Sequence, residues 1–134
     1  MLNLEIVTPE KKVLSEAVEA VTVPTTNGEI GILTDHAPLI STLKSGVLSY
    51  ARGGGATEKM MVSGGFVEVS GNNVSILADM AERADEINVE EARREQETAE
   101  KNLGAWKEGS EEEFEIERER LERAQARLQL ASGK

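Results

Sequence analysis

Val23-Pro24-Thr25-Thr26-Asn27-Gly28-Glu29-Ile30-Gly31-Ile32-Leu33, continued by Thr34-Asp35-His36-Ala37-Pro38-Leu39, is the stretch whose reading decides the fold. It reads as a strand, a tight polar turn, a returning apolar strand and a stiff loop. Asn27-Gly28 is a strong hairpin signal, because both residues tolerate the positive φ of a primed turn. Gly31 removes a side chain from the returning strand, the usual mark of a bulge or a close backbone approach. Pro38 fixes its own φ and biases Ala37 toward extended geometry. Glu29, Asp35 and His36 are carried outward on this constrained tip. Two readings follow: a presented surface, or simply a well-made hairpin.

On either side of this stretch the pattern stays β. Leu2, Leu4 and Ile6 alternate with polar residues up to Pro9, so one face of that strand is buried. Val13-Leu14, then Val21 and Val23, continue the alternation, and Leu39–Leu43 and Val47–Ala51 follow the loop. Gly53-Gly54-Gly55 is a turn that lacks the trailing Lys-Ser/Thr of a phosphate loop. Ser63-Gly64-Gly65-Phe66-Val67-Glu68-Val69 places two glycines in a strand pattern, predicting a bend or a close backbone, with Phe66 and the valines in the core. A further turn at Ser70–Asn73 leads to Val74–Ala78, the last strand expected. Short strands and turns at this spacing predict a small antiparallel sandwich or barrel.

Beyond Ile87 the composition changes to a Glu/Arg excess without proline. Val89, Ala92, Ala99, Leu103 and Trp106, with Gln96 in the gap, fall at heptad steps. Asn88 is a suitable N-cap, followed by Glu90 and Glu91 where the helix dipole favours acid. Gly104 and the segment Lys107-Glu108-Gly109-Ser110 break this helix, and Ser110 before Glu111–Glu113 predicts a second cap and a capping box. The second helix carries Phe114, Leu121, Ala124, Leu128 and Ala131 at heptad steps, with Glu117 as the polar exception. Two helices of equal length form an antiparallel hairpin. Its alanine-rich seam buries little area, so the hairpin is marginal alone and must rest on something else. The expected class is therefore α+β: an N-terminal antiparallel β-sandwich (1–86) followed by a C-terminal antiparallel two-helix hairpin (87–134).

The bulk numbers exclude several functions. A chain of 134 residues with 39% hydrophobic and only 3% aromatic content suits one modest aliphatic core with an appendage. The net charge of −10 argues against nucleic acid, which demands a Lys/Arg excess. Without cysteine there can be no disulfide, thiolate metal site or cysteine nucleophile. No window reaches the ~18 apolar residues of a membrane span, and Met1–Glu5 has no signal-peptide pattern, so any membrane association is expected through a protein partner. A lone histidine, His36, cannot anchor an ordinary metal site and has no adjacent nucleophile. The carboxylates lie on helix surfaces rather than in apolar pockets. A noncatalytic chain is expected, with no metal and no cofactor.

Arg120, Arg123 and Arg127 share one face of the second helix by spacing. One reading is a solvated face laced with pairs such as Glu119–Arg123; the other is a basic stripe for an acidic partner.

Four ordered motifs resemble the epsilon subunit of the F-type, proton-translocating ATP synthase. They are Pro24–Leu39, Ser63–Val69, Val74–Ala92 and Arg123-Ala124-Gln125-Ala126-Arg127-Leu128. The resemblance implies a central-stalk rotor subunit whose sandwich binds the gamma subunit and the polar loops of the c-ring. Glu29, Asp35, His36 and Pro38 would then face the gamma/c-ring interface. It implies a hairpin that either folds on the sandwich or extends into the alpha/beta catalytic head and inhibits ATP hydrolysis, with Arg120, Arg123 and Arg127 as contacts. It also implies a peripheral location on the cytoplasmic face of the bacterial inner membrane, or the stromal face of the thylakoid. Glu82, Arg123 and Arg127 fall on nucleotide-contacting positions of the family. However, the family segment Ile-Asp-x-x-Arg-Ala reads Ile87-Asn88-Val89-Glu90-Glu91-Ala92 here, and Thr98 replaces another arginine. A carboxylate at 91 repels phosphate, so ATP binding is expected to be weak or absent. The competing reading is a free-standing interaction module with a coiled-coil tail.

Overall fold

A computed structural model describes residues 1–106 and 109–133. Ten strands precede two helices: β1 (Leu2–Val7), β2 (Lys12–Val18), β3 (Ala20–Thr25), β4 (Gly28–Leu33), β5 (Leu39–Thr42), β6 (Gly46–Ala51), β7 (Thr57–Ser63), β8 (Phe66–Ser70), β9 (Asn73–Leu77), β10 (Met80–Glu82), α1 (Val89–Gly104) and α2 (Glu111–Ala131), with a 3₁₀ turn at Ala84–Glu86. The strands form two five-stranded sheets, ordered β2-β1-β9-β8-β5 and β10-β7-β6-β3-β4. This is the expected sandwich followed by a helical hairpin. Every pair is antiparallel except one: β1 runs parallel to β9, with Asn3 opposite Asn73 and Val7 opposite Leu77.

Alternation makes the core. Leu2, Leu4 and Ile6 on β1 face Val74 and Ile76 on the neighbouring strand and meet Val21, Val23 and Ile32 of the other sheet, all 1% exposed or less. Tyr50 is the largest side chain in this otherwise aliphatic interior.

Several local expectations are corrected. Thr26-Asn27 are the two loop residues between β3 and β4, with Thr25 opposite Gly28. Positive φ falls on Gly28 (102°) and not on Asn27. The Thr25 hydroxyl donates to the Gly28 carbonyl at 2.6 Å and accepts from the Asn27 N–H at 3.2 Å, closing the turn without a primed pair. Gly31 makes no bulge: it pairs regularly with Thr22, and open space surrounds it. Phe66 is 40% exposed, because it begins β8 on the outer face opposite Leu77 while Val67 and Val69 point inward. The glycines before it are needed for close approach, as expected. Gly64-Gly65 carry the chain from one sheet to the other with φ of 70° and 87°, and a Cβ on Gly65 would lie 1.7 Å from the Leu77 carbonyl oxygen. The sequence reading missed β10, whose Met80-Ala81-Glu82 has too little alternation to announce a strand yet pairs with Met61–Ser63 of β7.

Both N-caps form as expected, but Ser110 makes only half of the expected capping box, since the Glu113 side chain does not return to the Ser110 N–H. Asn88 Oδ1 accepts from the Glu91 N–H, and Ser110 Oγ accepts from the Glu113 N–H, both at 3.0 Å. Of the breaking segment, Lys107 and Glu108 lie outside the described residues. The helices are unequal, 16 and 21 residues. Ala92, Ala99 and Ala124 are fully buried where they meet, so small side chains let the axes approach closely. The hairpin does rest on something. Met61 projects from β7 away from the sandwich core, opposite in parity to Met60 and Val62, and is covered by Ala126 and Leu130 with Val47 and Ile87 beside them. That second face of α2 does not follow the heptad seam. Among the described residues, no helix is long and apolar enough to cross a membrane.

Candidate functional site: a pinned loop and an arginine seam

Two regions gather the candidate residues. The first is the tip around β4, an edge strand. Glu29, Gly31 and Leu33 share its outer face, all exposed, with Leu33 63% exposed. Glu29 and the Asp35–Pro38 loop sit at opposite ends of this strip, roughly 13 Å of strand apart. The strip therefore connects them without bringing them into contact. The loop itself is held by specific bonds. Asp35 has φ 65°, the one positive value at a non-glycine among the described residues. Its N–H donates to Asn72 Oδ1 at 3.0 Å, and the His36 N–H donates to the Leu33 carbonyl at 3.2 Å. His36 Nδ1 lies 2.7 Å from the Ala37 carbonyl, which can only accept, so Nδ1 carries the proton. In the sequence Asn72 has only the pattern of a turn residue, and no local pattern announces a bond that spans 37 residues.

The second region is the seam between the hairpin and the sandwich. Arg127 on α2 is 4% exposed. Its Nε and Nη2 donate to the two Glu82 oxygens of β10 at 2.8 and 3.3 Å, and its Nη1 donates to Glu91 of α1 at 3.1 Å. Burial works against the guanidinium charge. The Glu82 charge and hydrogen bonds, joined by those of Glu91, outweigh burial and hold its pKa above the ordinary arginine value. One turn earlier, Arg123 makes a two-point contact with Glu95 of α1 at 3.1 and 3.2 Å. Arg120 pairs with Glu117 at 2.8 Å, which accounts for the polar seam position. The three arginines are thus internal ties in this conformation, and the Glu119–Arg123 pair suggested by spacing is replaced by Arg123–Glu95. The seam brings together Glu82, Arg123 and Arg127, but the carboxylates of Glu82, Glu91 and Glu95 already occupy the arginines. A neighbouring cleft of about 550 Å³ mixes Lys44, Arg118 and Arg123 with Asp79, Glu119 and Glu122, so no single charge sign dominates it. Among the described residues no cluster of three or more His, Asp or Glu is placed to hold a metal ion.

Comparison with known proteins agrees with this architecture. Residues 1–84 match the family model described as ATP synthase, Delta/Epsilon chain, beta-sandwich domain. The ATP synthase epsilon chain of Carboxydothermus hydrogenoformans is 52% identical over 102 residues, covering 76% of this chain and 75% of that one. That of Desulforamulus reducens is 48% identical over 103 residues, 77% of each. Among solved structures, a chain in the cryo-EM structure of Euglena gracilis mitochondrial ATP synthase, OSCP/F1/c-ring in rotational state 1, superposes with a TM-score of 0.79 at 29% identity, over 95% of this chain and 81% of that one. A chain from the Tetrahymena thermophila mitochondrial ATP synthase central stalk/c-ring shares the fold, with a TM-score of 0.63 at 15% identity. With its sandwich matched by the family model and bacterial relatives half identical over three quarters of both chains, this chain belongs to the ATP synthase epsilon chain family.

Proposed function

We propose that this chain is a noncatalytic rotor subunit of the central stalk of an F-type, proton-translocating ATP synthase. Its sandwich (1–86) docks on the gamma subunit and on the polar c-ring loops, and its hairpin (87–134) governs ATP hydrolysis by the alpha/beta head. The enzyme thereby holds the chain peripherally at the membrane, on the cytoplasmic face in a bacterium. The observation that carries this reading is the two-part construction. A sandwich with its own closed core bears a hairpin whose attachment rests on a small apolar patch around Met61 and on the Arg127 ties. An appendage attached this way can leave its seat without unfolding what it sits on, as a two-position brake requires. Glu29, Asp35, His36 and Pro38 form the docking strip in this reading. When the hairpin leaves the sandwich, Arg127 gives up Glu82. Arg123 and Arg120 keep Glu95 and Glu117, which travel with the hairpin, so these two meet an acidic segment of the head only by exchanging those partners.

The same ties account for weak or absent ATP binding. Glu82 and Glu91 take the donors that a phosphate would need, and Glu91 adds a repelling charge. The test is ATP hydrolysis by the assembled enzyme carrying either the intact chain or one truncated after Ile87. A higher rate with truncation, while assembly survives, identifies the hairpin as the brake. An unchanged rate removes the regulatory part of the reading and leaves coupling to the sandwich.

A further inference from the structure

We propose that Asn72 is the positioning residue of the docking loop: it sets the conformation of Asp35-His36 in advance of binding and so raises the affinity of the strip for its partner. This rests on the docking role of the loop given above. The five residues 34–38 cross from the edge of one sheet, at β4, to the edge of the other, at β5. Such a crossing has no ladder partner of its own, and Asp35 must hold a left-handed φ of 65° that an aspartate tolerates but does not favour. Among the described residues, the one bond that reaches the Asp35 amide from outside the loop comes from Asn72 Oδ1 at 3.0 Å.

Asn72 is itself anchored. It sits in the β8–β9 turn, where Ser70 pairs with Asn73 and Gly71 takes φ 60°. Its carbonyl accepts from the Asn3 N–H at 2.7 Å, and Asn3 Nδ2 donates to Asn73 Oδ1 at 3.2 Å. Asn3 lies between Leu2 and Leu4, which are 0% and 1% exposed. The chain of bonds therefore runs from the sandwich core through Asn3 and Asn72 to the Asp35 amide. A loop ordered in its bound shape gives up less conformational entropy on association, and this is what the Asn72 side chain supplies.

The test uses the full chain, with Asn72→Ala, Asn72→Asp and His36→Ala, titrated onto ATP synthase depleted of this subunit. Amide hydrogen exchange and the Asp35 backbone coupling constant are read on the free chain. In Asn72→Ala the Asp35 amide should exchange about three- to tenfold faster, as the loss of one hydrogen bond predicts. Affinity for the depleted enzyme should fall by a similar factor, with the melting temperature moving by no more than about 3 °C. Asn72→Asp keeps the acceptor oxygen and should restore Asp35 protection. If His36→Ala weakens binding and Asn72→Ala does not, positioning by Asn72 is overturned while the docking loop stands. If neither weakens binding, the docking loop is overturned and the proposal falls with it. An Asp35 amide that exchanges equally fast with and without the Asn72 side chain overturns the proposal directly.

Discussion

Arg127 and Glu82, 45 residues apart, meet through two hydrogen bonds of 2.8 and 3.3 Å with their side chains 5% and 19% exposed. They join the last helix to the last strand, and this contact should dominate the docking of the hairpin. Arg127→Ala leaves Glu82 half-desolvated and unpaired, and should loosen α2 by about 2–3 kcal/mol. Faster amide exchange in α2 than in β1, β8 and β9 would register it. Global unfolding at equal cost in both parts would count against a separable hairpin.

Glu91 should matter less to stability. Its side chain is 61% exposed, so Glu91→Gln should cost below about 1 kcal/mol. The expected order of destabilisation in denaturant titrations is Arg127→Ala, then Glu82→Gln, then Glu91→Gln.

In the proposed function its larger role is exclusion of nucleotide. The melting temperature of the intact chain should move less than about 2 °C in ~1 mM ATP. Glu91→Arg combined with Thr98→Arg removes one carboxylate and adds two phosphate donors, and should tighten ATP binding at least about tenfold by calorimetry. Tight binding by the unaltered chain would refute the exclusion.

Gly65 and Gly31 should respond oppositely to alanine. At Gly65 the added carbon meets the Leu77 carbonyl at a φ of 87°, so Gly65→Ala should cost about 3 kcal/mol or more, or prevent folding. At Gly31 nothing lies within 4 Å, and Gly31→Ala should be neutral or stabilising by up to about 1 kcal/mol. Thermal melts of the two variants decide it.

Arg118 lowers the pKa of Glu115 below the ordinary glutamate value through its hydrogen bonds. The stability this pair contributes is present above the unfolded glutamate pKa and is lost as pH falls through the lower folded value. Arg118→Ala should return the Glu115 titration upward, visible by carboxyl NMR. Because both side chains are about half exposed to solvent, the melting temperature at neutral pH should barely change.

Much of this was legible in the chain because alternation and capping are local. Leu2, Leu4 and Ile6 could only share one buried face, and Asn88 and Ser110 announce their helices through a bond three residues away. What escaped depends on distant partners. Met61 is buried by α2 and not by the sandwich, and Phe66 falls on the outer face of β8 because Val67 and Val69 take the inner one. The spacing of Arg120, Arg123 and Arg127 identifies a shared face, but not that Glu82, Glu91 and Glu95 come to meet two of them. Asn72 is the extreme case, since its side chain acts on a residue 37 positions earlier.

The parallel pairing of β1 with β9 has a consequence for synthesis. As the chain leaves the ribosome β1 finds one neighbour at once, β2, but its other edge stays open until Leu77 has emerged. Until then the ladder groups along that edge of β1 have no partner, and the nascent chain depends on keeping the strand from wrong ones. Closing so distant a contact is slow compared with winding a helix. The sandwich therefore completes late, shortly before the last helix is made, and α2 arrives to cover Met61 on a surface only just finished.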